Sequence, residues 1–270
     1  MLSRRRAIEG LRLGVLESAP SSVGVLLIHG NSSSKEVFAG QFRSLQSAGF
    51  GVVAPDLPGH GQSDWSRTPR KTYSFPGYAA VLHGLMTRLG YRSYHVIGWS
   101  LGGHIGLEML ARYREVRSLA LTGTPPVRLN PEGVGAGFRW TPSTALAGRR
   151  RFSSEDCQRY VRAMMGTNRV STGHLRAAEG TDGNARYWMV RNGMAGVGAD
   201  EVDTVGADDR PLAILQGAAD PFLKIDYVEG LRYRNIWKGR PVLLDAGHAP
   251  HWQVPAKFNR HIREFLKDAG

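Results

Sequence analysis

The chain has 270 residues with 34 glycines and 14 prolines, and 41% of it is hydrophobic against 21% charged. That is a globular composition, not a disordered one, and long enough for one large α/β domain or a core with an inserted subdomain. The net charge of +12 is thinly spread, and its tight clusters (Arg4-Arg5-Arg6, Arg149-Arg150-Arg151, Arg67 with Arg70-Lys71) lack zinc-finger spacing or an aromatic RNA-binding motif, so no nucleic-acid partner is expected.

The single cysteine, Cys157, excludes an internal disulfide framework and a cysteine-based zinc site, and it reads as a packing thiol. The basic start is followed by Ala7-Ile-Glu-Gly-Leu-Arg-Leu13, which lacks the unbroken apolar run of a signal peptide. No stretch approaches the roughly 18 apolar residues of a membrane span. A cytoplasmic location is expected, with no membrane association and no obligate protein partner evident.

In chain order, Arg4–Ile8 and Leu11–Leu16 read as a hairpin broken at Gly10. Val23–Ile28 is a short apolar run, the mark of a strand buried on both faces. Phe50–Ala54, Tyr94–Gly98, Ser118–Leu121, Leu212–Leu215 and Pro241–Leu244 repeat the pattern. Helical patterns at Phe38–Ala48, Tyr78–Leu89, Gly102–Tyr113 and Ala256–Lys267 lie between or after them. Such alternation predicts a mostly parallel sheet with helices on both faces. One stretch, 124–209, breaks the rhythm. It shows helical patterns at Glu155–Met165 and Ala185–Val190 and no convincing strand, so it is read as a helical cap inserted between core segments 1–123 and 210–270.

The strongest chemical signal is Gly98-Trp99-Ser100-Leu101-Gly102, with a strand before it and a helix after. This is the context of a nucleophile elbow, in which flanking glycines permit a sharp turn that presents Ser100. A serine needs a base, and the base a carboxylate to hold its tautomer. Gln216-Gly-Ala-Ala-Asp220 and Asp245-Ala-Gly-His248 follow the last two strands, in the chain order serine, acid, histidine. Asp226 and Asp245 are rival carboxylates, and His251 is a rival base. His29, His60 and His104 read as structural or lining residues. His29-Gly30-Asn31 follows a buried strand, the place of an oxyanion loop, so the backbone N–H groups of Asn31 and Leu101 are the expected donors. No histidine pair has metal-ligand spacing, so neither metal nor cofactor is expected.

The elbow, the His29-Gly30 loop and Ala54-Pro-Asp-Leu-Pro-Gly-His-Gly61 resemble the α/β-hydrolase superfamily over the whole chain. More narrowly, His29-Gly-Asn-Ser-Ser-Ser34, Gly98-Trp-Ser-Leu-Gly-Gly-His-Ile-Gly106, Thr122-Gly-Thr-Pro-Pro-Val127 and Ala145-Leu-Ala-Gly148 resemble the metal-independent N-acylhomoserine lactonases of bacteria. The resemblance implies a Ser100–Asp220–His248 triad that opens a lactone ring, with Tyr160 near the substrate carbonyl and Gly30 and Trp99 also contacting substrate. Two departures stand beside it: that group can carry Glu where this chain has Asp220, and the cap around Arg149–Met165 matches less well than the core. The competing readings are a general carboxylesterase on small acyl esters and, in another class, a hydrolase-fold receptor that binds a small ligand without turnover.

Overall fold

Glu9 and Gly10 both have positive φ (47° and 80°), the left-handed pair that a two-residue hairpin turn requires, and they join β1 (Leu2–Ile8) to β2 (Leu11–Glu17). The structure is a computed structural model that describes residues 2–166 and 170–270. From β2 the chain alternates through β3 (Gly24–Ile28), α1 (Ala39–Ser47), β4 (Gly51–Pro55), α2 (Pro69–Thr72), α3 (Phe75–Arg88), β5 (Tyr94–Trp99), α4 (Leu101–Arg112) and β6 (Val116–Thr122). The segment between β6 and β7 (Leu212–Gly217) holds α5 (Pro131–Gly137), α6 (Ser154–Met165), α7 (Thr172–Glu179), α8 (Gly183–Met194) and α9 (Glu201–Ala207). After β7 come α10 (Ile225–Gly230), β8 (Val242–Leu244), α11 (Pro250–Gln253) and α12 (Pro255–Asp268).

The eight strands form one sheet in the order β1-β2-β4-β3-β5-β6-β7-β8, antiparallel in its first two pairings and parallel thereafter. Strands β3, β4, β5 and β7 are buried along their whole length, which is why they read as continuous apolar runs and not as alternating ones. The step from β3 to β4 runs opposite to those from β4 to β5 and β5 to β6. Right-handed crossovers therefore put α1 on one face and α3 and α4 on the other. The C-terminal helix α12 packs against α1.

This is the α/β-hydrolase arrangement expected from the sequence, and each expected strand and core helix lies within about three residues of its predicted bounds. The six helices α2, α5, α7, α9, α10 and α11 were not expected. They have eight residues or fewer, too short for an apolar stripe to register as a period. No helix among the described residues is long and apolar enough to cross a membrane. The reversal of strand order at β3, with β4 on one side of it and β5 on the other, opens a crevice at the carboxyl ends of these parallel strands, where open α/β sheets bind ligands. The loops after β3, β5, β7 and β8 all end there.

Candidate active site

Ser100 sits between β5 and α4 with φ 54° and ψ −119°, a conformation that few non-glycine residues adopt. Its flanking glycines explain how the turn closes. A Cβ on Gly98 would lie 2.3 Å from the Gly102 carbonyl oxygen, and one on Gly102 would lie 2.0 Å from that of Ile28. The turn is held from outside as well: Ser100 N–H donates to Thr122 O at 2.9 Å, and Thr124 Oγ1 donates to Ser100 O at 2.9 Å. Leu101 is the first residue of α4, so its N–H has no acceptor within the helix and belongs to the positive end of the helix dipole.

His248, in the loop after β8, is 3% exposed, and its Nδ1 lies 2.8 Å from Asp220 Oδ2. Asp220, in the loop after β7, also accepts hydrogen bonds from Phe222 N–H (2.8 Å) and Gln216 Nε2 (2.9 Å). Burial alone would push its carboxyl pKa up. The facing His248, with the Phe222 and Gln216 donors, outweighs burial and holds the pKa below the usual carboxylate value. An ionised Asp220 can only accept, so the proton between the pair sits on Nδ1 and the Nε2 of a neutral His248 carries a lone pair. The rival groups are elsewhere: Asp226 and Asp245 are exposed. His251 is buried among Phe38, Trp99 and Phe258, both its ring nitrogens lack a hydrogen-bond partner, and burial lowers its pKa to about 3.

Asn31 follows β3 at the same edge. Its side-chain Nδ2 donates to Ala147 O (2.9 Å) and to the Tyr160 hydroxyl (3.1 Å), which ties this loop to α6 and the segment before it. Burial raises the Tyr160 phenol to about 12, so it stays protonated. The neighbouring histidine, His29, bridges Gly30 O and Leu57 N–H through its two ring nitrogens and is a structural brace. Below it, the buried Lys35 ammonium contacts Asp56 at 2.7 Å, and Asp56 also accepts the backbone N–H groups of Lys35 and Gln62.

Ser100, His248, Asn31, Leu101 and Tyr160 all line one cavity, which with its mouth encloses about 920 Å³ of empty space. Its remaining walls are mostly apolar and include Phe138, Met164, Met189, Met194 and Phe222. Trp140 lines it while 64% exposed, which marks the mouth. Two expected substrate contacts are not part of this lining. Trp99 is fully buried, packs against His248 and His251, and donates its indole N–H to His248 O at 2.8 Å. Gly30 backs onto Trp99 and Ser100, where a Cβ would lie 3.0 Å and 3.2 Å from their side chains. Gly30 packs behind Ser100, and Trp99, the last residue of β5, is buried beside His248.

Cys157 is buried in α6 with its thiol toward Leu175 O, a packing position. No cluster of three or more His, Cys, Asp or Glu able to hold a metal occurs among the described residues.

A serine on a strained elbow and a carboxylate-bound histidine, both opening on one cavity at the carboxyl edge of a parallel sheet, define the class of an α/β hydrolase. Residues 24–255 match the alpha/beta hydrolase fold family, and the chain belongs to it. Its full length is similar to crystal structures of the N-acyl homoserine lactonase AidH. A serine-to-glycine variant of that protein complexed with N-hexanoyl homoserine lactone has a TM-score of 0.95 and 38% identity, over 100% of this chain and 98% of that one. The AidH complex with N-butanoyl homoserine has a TM-score of 0.94 and 39% identity, over 100% and 97%. The non-heme chloroperoxidase CPO-A1 of Kitasatospora aureofaciens is 25% identical over 267 residues, 90% of this chain and 91% of that protein.

Proposed function

We propose that this protein hydrolyses carboxylic esters through Ser100, His248 and Asp220, and that its substrate is the lactone ring of an N-acyl homoserine lactone. His248 Nε2 takes the proton of Ser100 Oγ as the oxygen attacks the ring carbonyl carbon. The resulting oxyanion is received by the N–H groups of Asn31 and Leu101 and by the Tyr160 hydroxyl, and each such donor can lower the barrier by about 3 kcal/mol. As the tetrahedral intermediate collapses, the ring C–O bond breaks and His248 returns the proton to the ring oxygen. A water deprotonated by His248 then attacks the acyl-enzyme, releasing an N-acyl homoserine and restoring Ser100. The leaving hydroxyl stays tethered to the acyl group and can reclose the ring, so water must be well placed to compete.

The observation that carries this reading is similarity over the whole chain to lactonase structures holding acyl-homoserine ligands, combined with an apolar cavity into which both Ser100 and His248 open. The test is ring opening of N-hexanoyl homoserine lactone, followed by proton release, beside release of p-nitrophenol from p-nitrophenyl butanoate. Turnover of both substrates, lost in Ser100→Ala to the residual of roughly 10³–10⁴-fold over water that binding and the oxyanion donors provide, supports the proposal. Cleavage of the ester alone would leave the competing carboxylesterase reading.

A further inference from the structure

One turn along α4 from Ser100, His104 lines the same cavity, yet the acyl-transfer scheme gives it no part. Its Nδ1 lies 2.7 Å from Glu201 Oε1. Glu201 is 2% exposed at the start of α9, and its other oxygen is taken by Val127 N–H at 2.9 Å. Phe75 stacks on the imidazole at 5.3 Å with a 9° interplanar angle, and the ring of Phe138 lies 5.9 Å away, tilted by 36°. Its Nε2 has no hydrogen-bond partner among the described residues, and the lining beside His104 is mostly apolar, including Phe75, Val127, Leu129 and Phe138.

A buried carboxylate that orients one ring nitrogen fixes the direction of the other. An apolar acyl chain lying against this edge would leave a desolvated ring nitrogen unpaired, which is costly. Four residues of helix rise amount to about 6 Å. From the ring carbonyl carbon of an acyl homoserine lactone, five bonds lead through the amide to the third carbon of the acyl chain, a comparable span.

We propose that His104, held by Glu201, forms a second polar subsite that binds a hydroxyl on the acyl chain of the substrate. A hydroxyl suits this edge because it can donate to a bare Nε2 or accept from a protonated one. Glu201 acts as a positioning residue. The inference rests on the proposal that Ser100 cleaves an acyl ester, and it names which acyl chains that site prefers.

The experiment compares kcat/KM for N-(3-hydroxybutanoyl) and N-butanoyl homoserine lactone. A parallel pair, p-nitrophenyl 6-hydroxyhexanoate and hexanoate, also places a hydroxyl-bearing carbon five bonds from the scissile carbonyl carbon. The wild-type protein should favour the hydroxylated member by about tenfold, the worth of one well-made hydrogen bond in an apolar pocket. His104→Phe should bring that ratio close to one. His104→Gln should restore part of it, and Glu201→Gln should lower it, with folding of each variant checked by its melting temperature. A ratio near one in the wild type, or one that His104→Phe leaves unchanged, overturns the subsite. If neither lactone is opened but the ester pair keeps a His104-dependent ratio, the lactone assignment fails and the subsite stands. Failure to turn over either pair overturns both.

Discussion

Replacing Asp220 with asparagine removes a charge and one acceptor while leaving the side chain nearly the same size, so its consequence can be worked out bond by bond. Oδ1 accepts from Phe222 N–H, and Oδ2 accepts from both Gln216 Nε2 and His248 Nδ1. Asparagine can place its single oxygen at only one of these positions. At the Oδ2 position, its NH₂ would face the Phe222 backbone N–H, a fixed donor with nowhere to turn. At the Oδ1 position, the NH₂ faces Gln216, whose amide also has Gly217 O as acceptor and can relax, and His248, which can shift its proton. The second arrangement is the better one, and it moves the His248 proton to Nε2, against Ser100. The base is then lost at neutral pH. In serine-protease triads the same change lowers kcat by about 10⁴, and a loss of about 10³–10⁴ is expected here. Ligand affinity, measured by calorimetry on a Ser100→Ala background, should change less than about threefold, because Asp220 does not line the cavity. A fall in kcat of less than tenfold would refute the reasoning. A large loss of affinity in the double variant would instead make Asp220 a wall of the pocket, and the acid would have to be sought elsewhere.

The two histidines of the last loop should separate cleanly in kinetics. His248→Ala should cost several orders of magnitude in kcat, whereas His251→Phe should stay within about threefold and keep or raise the melting temperature, since it removes two unsatisfied buried nitrogens; reversed losses would move the base to His251. Lys35→Met leaves the Asp56 carboxylate buried without its cation, a change that typically costs about 3–5 kcal/mol, to be read from urea unfolding, where a loss below about 1 kcal/mol would mean the backbone donors suffice. Asp220 has a folded pKa below its unfolded value of about 4, so its stabilising contribution is present above pH 4 and disappears as pH falls through the folded value. The melting temperature of the wild type should therefore drop more steeply below pH 4 than that of Asp220→Asn, and parallel curves would contradict the depressed pKa.

Much of this arrangement is legible in the sequence because burial on both sheet faces makes strands conspicuous and places the loops that follow them at one edge. The elbow is also local: its glycines are demanded by contacts within the pentapeptide and with the end of β3, so five letters carry the signal. The choice among Asp220, Asp226 and Asp245 is not local. Asp220 and Asp245 follow strands and Asp226 lies in α10, and it is the fold that buries Asp220 against His248 and leaves the other two exposed. Glu201 lies 97 residues from His104 and belongs to no motif, so the pair could not be seen before the chain was folded. The placing of Trp99 is likewise set by the folded packing. The resemblance implies that it contacts substrate, but its side chain, at the last position of β5, is fully buried and packs against His248 and His251.

The polar contacts around the cavity share a feature that bears on the proposed chemistry: each loop bringing a reacting group is fastened to a different loop. Trp99, next to Ser100, holds the backbone of His248. Gln216 takes the Gly123 N–H at 3.1 Å and donates to Asp220, joining the end of β6 to the acid loop. His29 and the Lys35–Asp56 pair join the Asn31 loop to the loop after β4. Acyl transfer gains most from dipoles fixed before charge develops, because no free energy is then spent on turning them during the reaction. Part of the cavity wall is built differently, with Met164, Met189 and Met194 in its lining. Methionine side chains repack at little cost, so this wall can follow acyl chains of different length. A fixed edge beside an adaptable wall would suit the proposed reaction, in which one ring carbonyl must be placed the same way whatever chain is attached to it. Within that soft wall the His104–Glu201 pair is the rigid polar exception, and it is there that selectivity among chains of equal length would reside.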